Sequence, residues 1–215
     1  MWDTISDPIQ AVSLIIARPN RRKRGNPAAG WMGHTLFRVT TRSGQEWSVA
    51  WGGDTGHVPL SNGPASIWRG LGWTNPYPVC LEIIPFQVAQ DYFVITQERA
   101  LEVWKLPNLD EAGAKLFAEA LQVEHSKSQS RALGAYRYLT RNCSTLLVDF
   151  LTGQFGKSEA LALVHRLAPP LRAVQAIRKS GAVALDFQGL ITPSSPDPVT
   201  HQSTESIGVV SLLRR

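Results

Sequence analysis

A chain of 215 residues, 43% hydrophobic and 18% charged, is long enough to bury one sizeable core and too apolar for intrinsic disorder. Its formal net charge of +5 would assist contact with anionic polymers, whether nucleic acid, cell-wall material or lipid headgroups, without choosing among them. No apolar run approaches the length of a membrane-spanning helix, and two cysteines do not make a disulfide framework in a chain of this size.

The N-terminus carries acids before its short apolar run and bases after it, the reverse of a secretory signal. Synthesis in the cytoplasm, with export by another route, is therefore expected. Gln10 to Ala17 is apolar and β-branched enough for a strand, with a short helix as the alternative. Arg18, Arg21, Arg22, Lys23 and Arg24, bounded by Pro19, Gly25 and Pro27, read as a solvated basic loop. Aromatics are not interleaved with these bases, which argues against a nucleic-acid groove. His34 to Thr41 alternates as a strand, Arg42-Ser43-Gly44 turns the chain, and Gln45 to Trp51 returns it.

From Gly52 to Pro78 glycine, proline, asparagine and tryptophan dominate without a sustained period. Trp68 and Trp73 in this excursion either line a substrate cleft or plug the core. Val79 to Ile84 and Asp91 to Ile95 read as strands, and Thr96 caps a predicted helix through Trp104 that Pro107 ends. Asn108 with Glu111 resembles a capping box for a helix whose face is Ala112, Leu116, Phe117, Ala120 and Leu121. A polar link over Ser126 to Ser130 follows. Lys157 to Ala168 and Leu171 to Lys179 predict two more helices, and Thr192 to Ser206 a flexible link.

Chemistry concentrates in Tyr136 to Gly153, YRYLTRNCSTLLVDFLTG. Cys143, Leu146, Leu147, Phe150 and Leu151 follow the spacing of one buried helix face, Asn142 is a good N-cap, and Gly153 a natural stop. A thiol in the first turn of such a helix faces unpaired N–H groups and the positive end of the dipole, both of which favour the reactive thiolate. Cys143 is thus a candidate nucleophile, against the alternative of a small buried apolar residue. A thiolate needs a base, and upstream a histidine after glycine, Gly33-His34, opens the first hairpin strand. His57, in Asp54-Thr55-Gly56-His57, is the reserve base, whereas Cys80, inside an apolar run, reads as buried strand. The five histidines are scattered without metal-ligand spacing, so no metal or other cofactor is called for.

Gly33-His34 opening a hairpin and Asn142-Cys143 opening a helix together resemble the circularly permuted papain-like hydrolases, in which the histidine precedes the cysteine. That group includes NlpC-type peptidoglycan amidases, among them antibacterial effectors of type VI secretion, and relatives of lecithin:retinol acyltransferase. The resemblance spans roughly Trp31 to Gly153. It implies an α+β, permuted papain-like fold, with a small antiparallel sheet packed against helices that include the nucleophile helix. The implied organisation is an N-terminal strand and basic loop (1–30), a catalytic domain (31–153), a helical extension (154–190) and a flexible tail (191–215).

By the same resemblance Cys143 attacks a carbonyl, His34 is its base, N–H groups at the helix start beside Asn142 hold the oxyanion, and the third group comes from the return strand. There Ser48 takes the third position, with Glu46 one step away, where histidine, asparagine or glutamine would be usual; the departure leaves open a Cys/His dyad or an orienting group supplied from elsewhere. The implied substrate is an amide bond in the peptide stems of peptidoglycan, cut in the periplasm of a target cell. An immunity protein and a secretion apparatus are the implied partners. A lipid acyltransferase or phospholipase using the same Cys/His pair, and a non-enzymatic binding module, are the alternatives.

Overall fold

The computed structural model describes residues 7–20, 33–54, 76–138, 140–155 and 185–193. In chain order these form β1 (Ile9–Ala17), β2 (His34–Thr41), β3 (Glu46–Gly53), β4 (Val79–Pro85), α1 (Phe86–Asp91) running on into a π-helical turn (Tyr92–Thr96), β5 (Leu101–Lys105), α2 (Glu111–Gln129), α3 (Cys143–Phe155) and β6 (Asp186–Ile191). The six strands make one antiparallel sheet in the order β4-β3-β2-β1-β5-β6. The architecture is α+β.

β1 lies inside the sheet between β2 and β5, and its second half, Leu14 to Ala17, is covered on both faces, which is why that part of its sequence is continuously apolar. On one face Leu14 and Ile16 of β1, Phe37 and Val39 of β2 and Trp51 of β3 meet Phe117 and Leu121 of α2 and Leu147, Phe150 and Leu151 of α3. On the other, Ile15, Ala17, Leu36, Ala50, Leu101 and Val103 pack under Phe86 and Val94 of the α1–π segment. α3 thus lies directly on the strands β2 and β3, and all five apolar positions read from its sequence are buried.

Two stretches correct the sequence reading. Asp91 to Ile95, expected as a strand, is helical, and the helix expected from Thr96 to Trp104 is the strand β5. Glu98, in the left-handed region at φ 51°, ends the π-helical turn, and pairing with β1 and β6 then outweighs the helix propensity of the residues that follow. α2 is capped by Asp110, which accepts from the Gly113 N–H at 2.7 Å, rather than by Asn108. Its buried residues are Ala114, Phe117 and Leu121, so Leu116 points to solvent, and the helix runs through the segment read as a polar link. The strand β6 had no counterpart in the sequence reading. The predicted helices at 157–179 and the link beyond 193 lie outside the described residues.

Gly33 sets where β2 begins. Its φ is +69°, and a Cβ there would lie 2.7 Å from the Ala17 carbonyl oxygen. Gly33→Ala therefore combines a left-handed backbone with a backbone clash. We expect it to lower unfolding free energy by about 1–2 kcal/mol or more, read by urea denaturation.

Candidate active site

α3 starts at Cys143 because Asn142 caps it. Asn142 Oδ1 accepts from the N–H groups of Ser144 at 2.9 Å and Thr145 at 3.2 Å, while the Asn142 N–H donates to Thr145 Oγ1 at 2.9 Å. This is a capping box with threonine in the place of the usual glutamate. Asn142 Nδ2 also donates to the Tyr138 carbonyl at 2.8 Å, tying the cap to the chain that leads into it. Two of the helix's first N–H groups are thereby committed. The Cys143 N–H has only a long contact, 3.4 Å, to the Tyr136 hydroxyl. Asn142→Ala should cost about 1–2 kcal/mol, measured by denaturant unfolding, because it removes the cap and orphans buried donors together.

His34 is the first residue of β2, opposite Ala17, and its ring stacks on Phe93 of the π-helical turn at 5.5 Å and 26°. Pairing between β2 and β3 begins at Phe37–Val49, so β2 projects past the β2–β3 ladder at the end where His34 and Thr35 stand. Cys143 fills that position. The charge of the His34 imidazole acts on its thiol, and the donors of His34 and Thr35 favour its ionised form. The Thr35 hydroxyl is buried and within hydrogen-bond geometry of no neighbour.

Burial pushes the Cys143 thiol up, but the His34 charge and hydrogen bond, with the Thr35 donors, outweigh it and lower the pKa to about 6. Burial likewise pushes His34 down, and here the Cys143 charge and hydrogen bond, with the Glu82 charge, reverse the sign and raise it. Each group supports the charged form of the other. Tyr136, buried and bonded to Cys143, is held well above the ordinary tyrosine value by desolvation first and by the neighbouring thiolate second, so its hydroxyl stays protonated and able to donate. A thiol of lowered pKa, an imidazole whose charge acts on it and donors beside it are parts from which acyl transfer can be built.

The family model of the Lnb N-terminal periplasmic domain matches residues 21–179, a span that contains both His34 and Cys143. The chain belongs to that family. A likeness in fold is found to the crystal structure of a type VI secretion system effector, TseH, at 11% sequence identity and a TM-score of 0.48, over 84% of this chain and 100% of that one. No curated protein matches the chain.

In this Lnb-family chain the remaining sequence-predicted residues fall apart spatially. Ser48, read as the third catalytic group, is buried on β3 opposite Arg38 and Ile84. Four residues of extended chain separate it from Gly52, about 13 Å, and the continued β2–β3 register sets His34 at Gly52. Ser48 is therefore too far along the strand to orient the imidazole, and its neighbour Glu46 is ion-paired with Arg38. Cys80 is half-buried, its thiol raised to about 11 by desolvation first and by Glu82 and Asp54 next, which leaves it unreactive near neutrality. The reserve base His57 and the tryptophans Trp68 and Trp73 lie outside the described residues. Among the described residues no cluster of His, Cys, Asp or Glu could hold a metal ion.

Four residues at the site escaped the sequence reading. Thr35 and Tyr136 touch Cys143, and the charges of Glu82 and Arg99 act on His34. Tyr136 opens the very stretch that carries the cysteine, and Thr35 follows the histidine, so proximity in sequence was the available signal for both. Arg99 is 4% exposed, and a cation buried just before β5 is visible only once that strand is placed.

Proposed function

We propose that the chain is a cysteine-dependent acyl-transfer enzyme of the permuted papain-like kind, a hydrolase that cuts an amide bond. The observation that carries this reading is the electrostatic coupling of Cys143, the first residue of α3, to His34 at the start of β2, with the thiol pKa held at about 6. In this reading the reactive form is a Cys143 thiolate beside a His34 imidazolium, each of which favours the charged form of the other. The thiolate attacks the carbonyl carbon, and the electron pair of the C=O moves to oxygen. In this reading the Cys143 N–H and the Tyr136 hydroxyl hold that oxyanion, with the Thr35 hydroxyl as a third donor; the contact between the first two, and a tyrosine held protonated, support it. His34 then gives its proton to the leaving amine, the C–N bond breaks and a thioester remains. Water, giving a proton to His34, adds to the thioester carbon; the C–S bond breaks, the acid is released and the thiolate–imidazolium pair is restored. No step calls for a metal or an organic cofactor.

The substrate we favour is the peptide stem of peptidoglycan. The matched family is described as a periplasmic domain, and the wall lies in that compartment. Delivery as an antibacterial effector with an immunity partner belongs to the same reading. Purified peptidoglycan, digested by wild type, Cys143→Ala and His34→Ala, tests it. New amine and carboxyl ends in mass spectra of the wild-type digest alone support the wall, and cytoplasmic and periplasmic expression should then differ sharply in lysis.

A second reading keeps the thioester and changes the donor to a lipid acyl ester. Val88, Tyr92 and Ile95, 37%, 42% and 70% exposed, recur at helical spacing along the α1–π segment that also presents Phe93 to His34. An apolar ridge beside the base suits acyl chains. Flotation with liposomes, and fatty acid released from phospholipid by wild type but not by Cys143→Ala, would select this reading over the first.

A further inference from the structure

The site has a base and a nucleophile, and the residue expected to support the base lies too far away. The sheet offers another. On the face of β2 that carries His34 and Leu36, the continued register sets β3 residues Gly52 and Ala50 beside them, and β4 pairs Cys80 with Gly52 and Glu82 with Ala50. Glu82 is therefore diagonal to His34 across one strand, and that strand has only a glycine and an alanine in the way. The space is open: a Cβ built on Gly52 meets nothing nearer than Cys80 Sγ at 3.9 Å. A glutamate side chain is long enough to lean over this lane, where a residue on β3 itself would need to be Gly52.

We propose that Glu82, reaching from β4 over the Gly52–Ala50 lane, is the counter-charge that holds the His34 imidazolium in place, the third member of a Cys143–His34–Glu82 set. This rests on the catalytic reading above and deepens it. Glu82 acts as a positioning residue through space, since its carboxylate makes no direct hydrogen bond to the ring. The electrostatics agree in both directions, since the Glu82 charge raises His34 and, after a larger rise from burial, the His34 charge lowers Glu82. Glu82 is exposed overall, while its carboxylate lies low enough over the sheet for desolvation to be felt. The groups whose charge acts on His34 are Cys143 on α3, Glu82 on β4 and Arg99 before β5, and Arg99 opposes the other two.

The test reads His34 directly. Nitrogen-15 NMR of the imidazole, recorded against pH on the full chain, reports its pKa and tautomer without any substrate. Glu82→Gln should lower the imidazolium pKa, move the alkaline limb of the activity profile to lower pH and reduce kcat about 10²-fold with KM little changed. Gly52→Leu, which fills the lane without touching the carboxylate, should do the same to the imidazole. Ser48→Ala should match wild type in both readouts. An unchanged imidazole titration in folded Glu82→Gln overturns the proposal, whatever the enzyme cuts. Loss of the titration shift with no activity on any substrate overturns the catalytic reading alone.

Discussion

Cys143→Ala is expected to abolish acyl transfer, and His34→Ala to reduce kcat/KM by about 10³-fold or more, because nucleophile and base act as one unit. The pH dependence carries the sharper expectation. Cys143 has its pKa lowered to about 6, so thiolate appears as pH rises through that value, and His34 has its pKa raised, so its proton is held to higher pH than in a free imidazole. Activity should climb through about pH 6 and fall again where the imidazolium titrates. Stability follows the same pair. The contribution from the depressed thiol is complete above the pKa of an unfolded cysteine and disappears as pH falls through about 6, and that from the raised histidine is complete below its unfolded value and disappears as pH rises through the folded one. Thiolate absorbance near 240 nm, with the Cys143→Ala signal subtracted, gives the midpoint. In His34→Ala, burial no longer meets a compensating charge, and the midpoint should move upward past neutrality. A wild-type midpoint at the ordinary cysteine value would mean that no ion pair forms, and the catalytic reading would not survive it.

Phe37→Ala should destabilise the protein by about 3–5 kcal/mol. Phe37 is fully buried and its ring meets those of Trp51 at 6.0 Å, Phe117 at 5.7 Å and Phe150 at 5.9 Å, so truncation opens a cavity where β2, β3, α2 and α3 converge. Phe37 is also the first β2 residue paired to β3, three positions from His34. Activity should therefore fall together with stability. Leu116→Ala is the control: at 60% exposure the side chain has little burial to lose, and its effect should stay within about 0.5 kcal/mol. Urea unfolding of the two variants separates the cases, and equal effects would refute this account of the core.

The parts of the fold legible in the sequence were those with a single dominant signal. β2 and β3 alternate cleanly around the Gly44 turn, and α3 combines a cap, an apolar face and a cysteine, so His34 and Cys143 could both be singled out as candidates without coordinates. Residues 91–105 were misread because local preference and tertiary pairing disagree there. Glu98 to Trp104 contains good helix formers, but Leu101 and Val103 share one face of a strand that has β1 on one side and β6 on the other. β6 itself has three exposed residues at its start and little hydrophobic signal, so only its partner defines it. Glu82 was hidden for another reason. Its relation to His34 depends on two small residues of an intervening strand, a three-strand coincidence that no local pattern encodes.

The position of β1 bears on when the protein becomes chemically competent. This strand is made early, yet it is sandwiched between β2 and β5, and Cys143, the proposed nucleophile, lies more than a hundred residues after His34. Contacts this distant in sequence close late in folding. A nascent or translocating chain therefore carries two ordinary thiols and an ordinary imidazole, with no thiolate to react. The hazard of a permanently activated cysteine is deferred until the last long-range pairing is complete. Unfolding, equally, disarms the molecule in the same step in which it loses its shape.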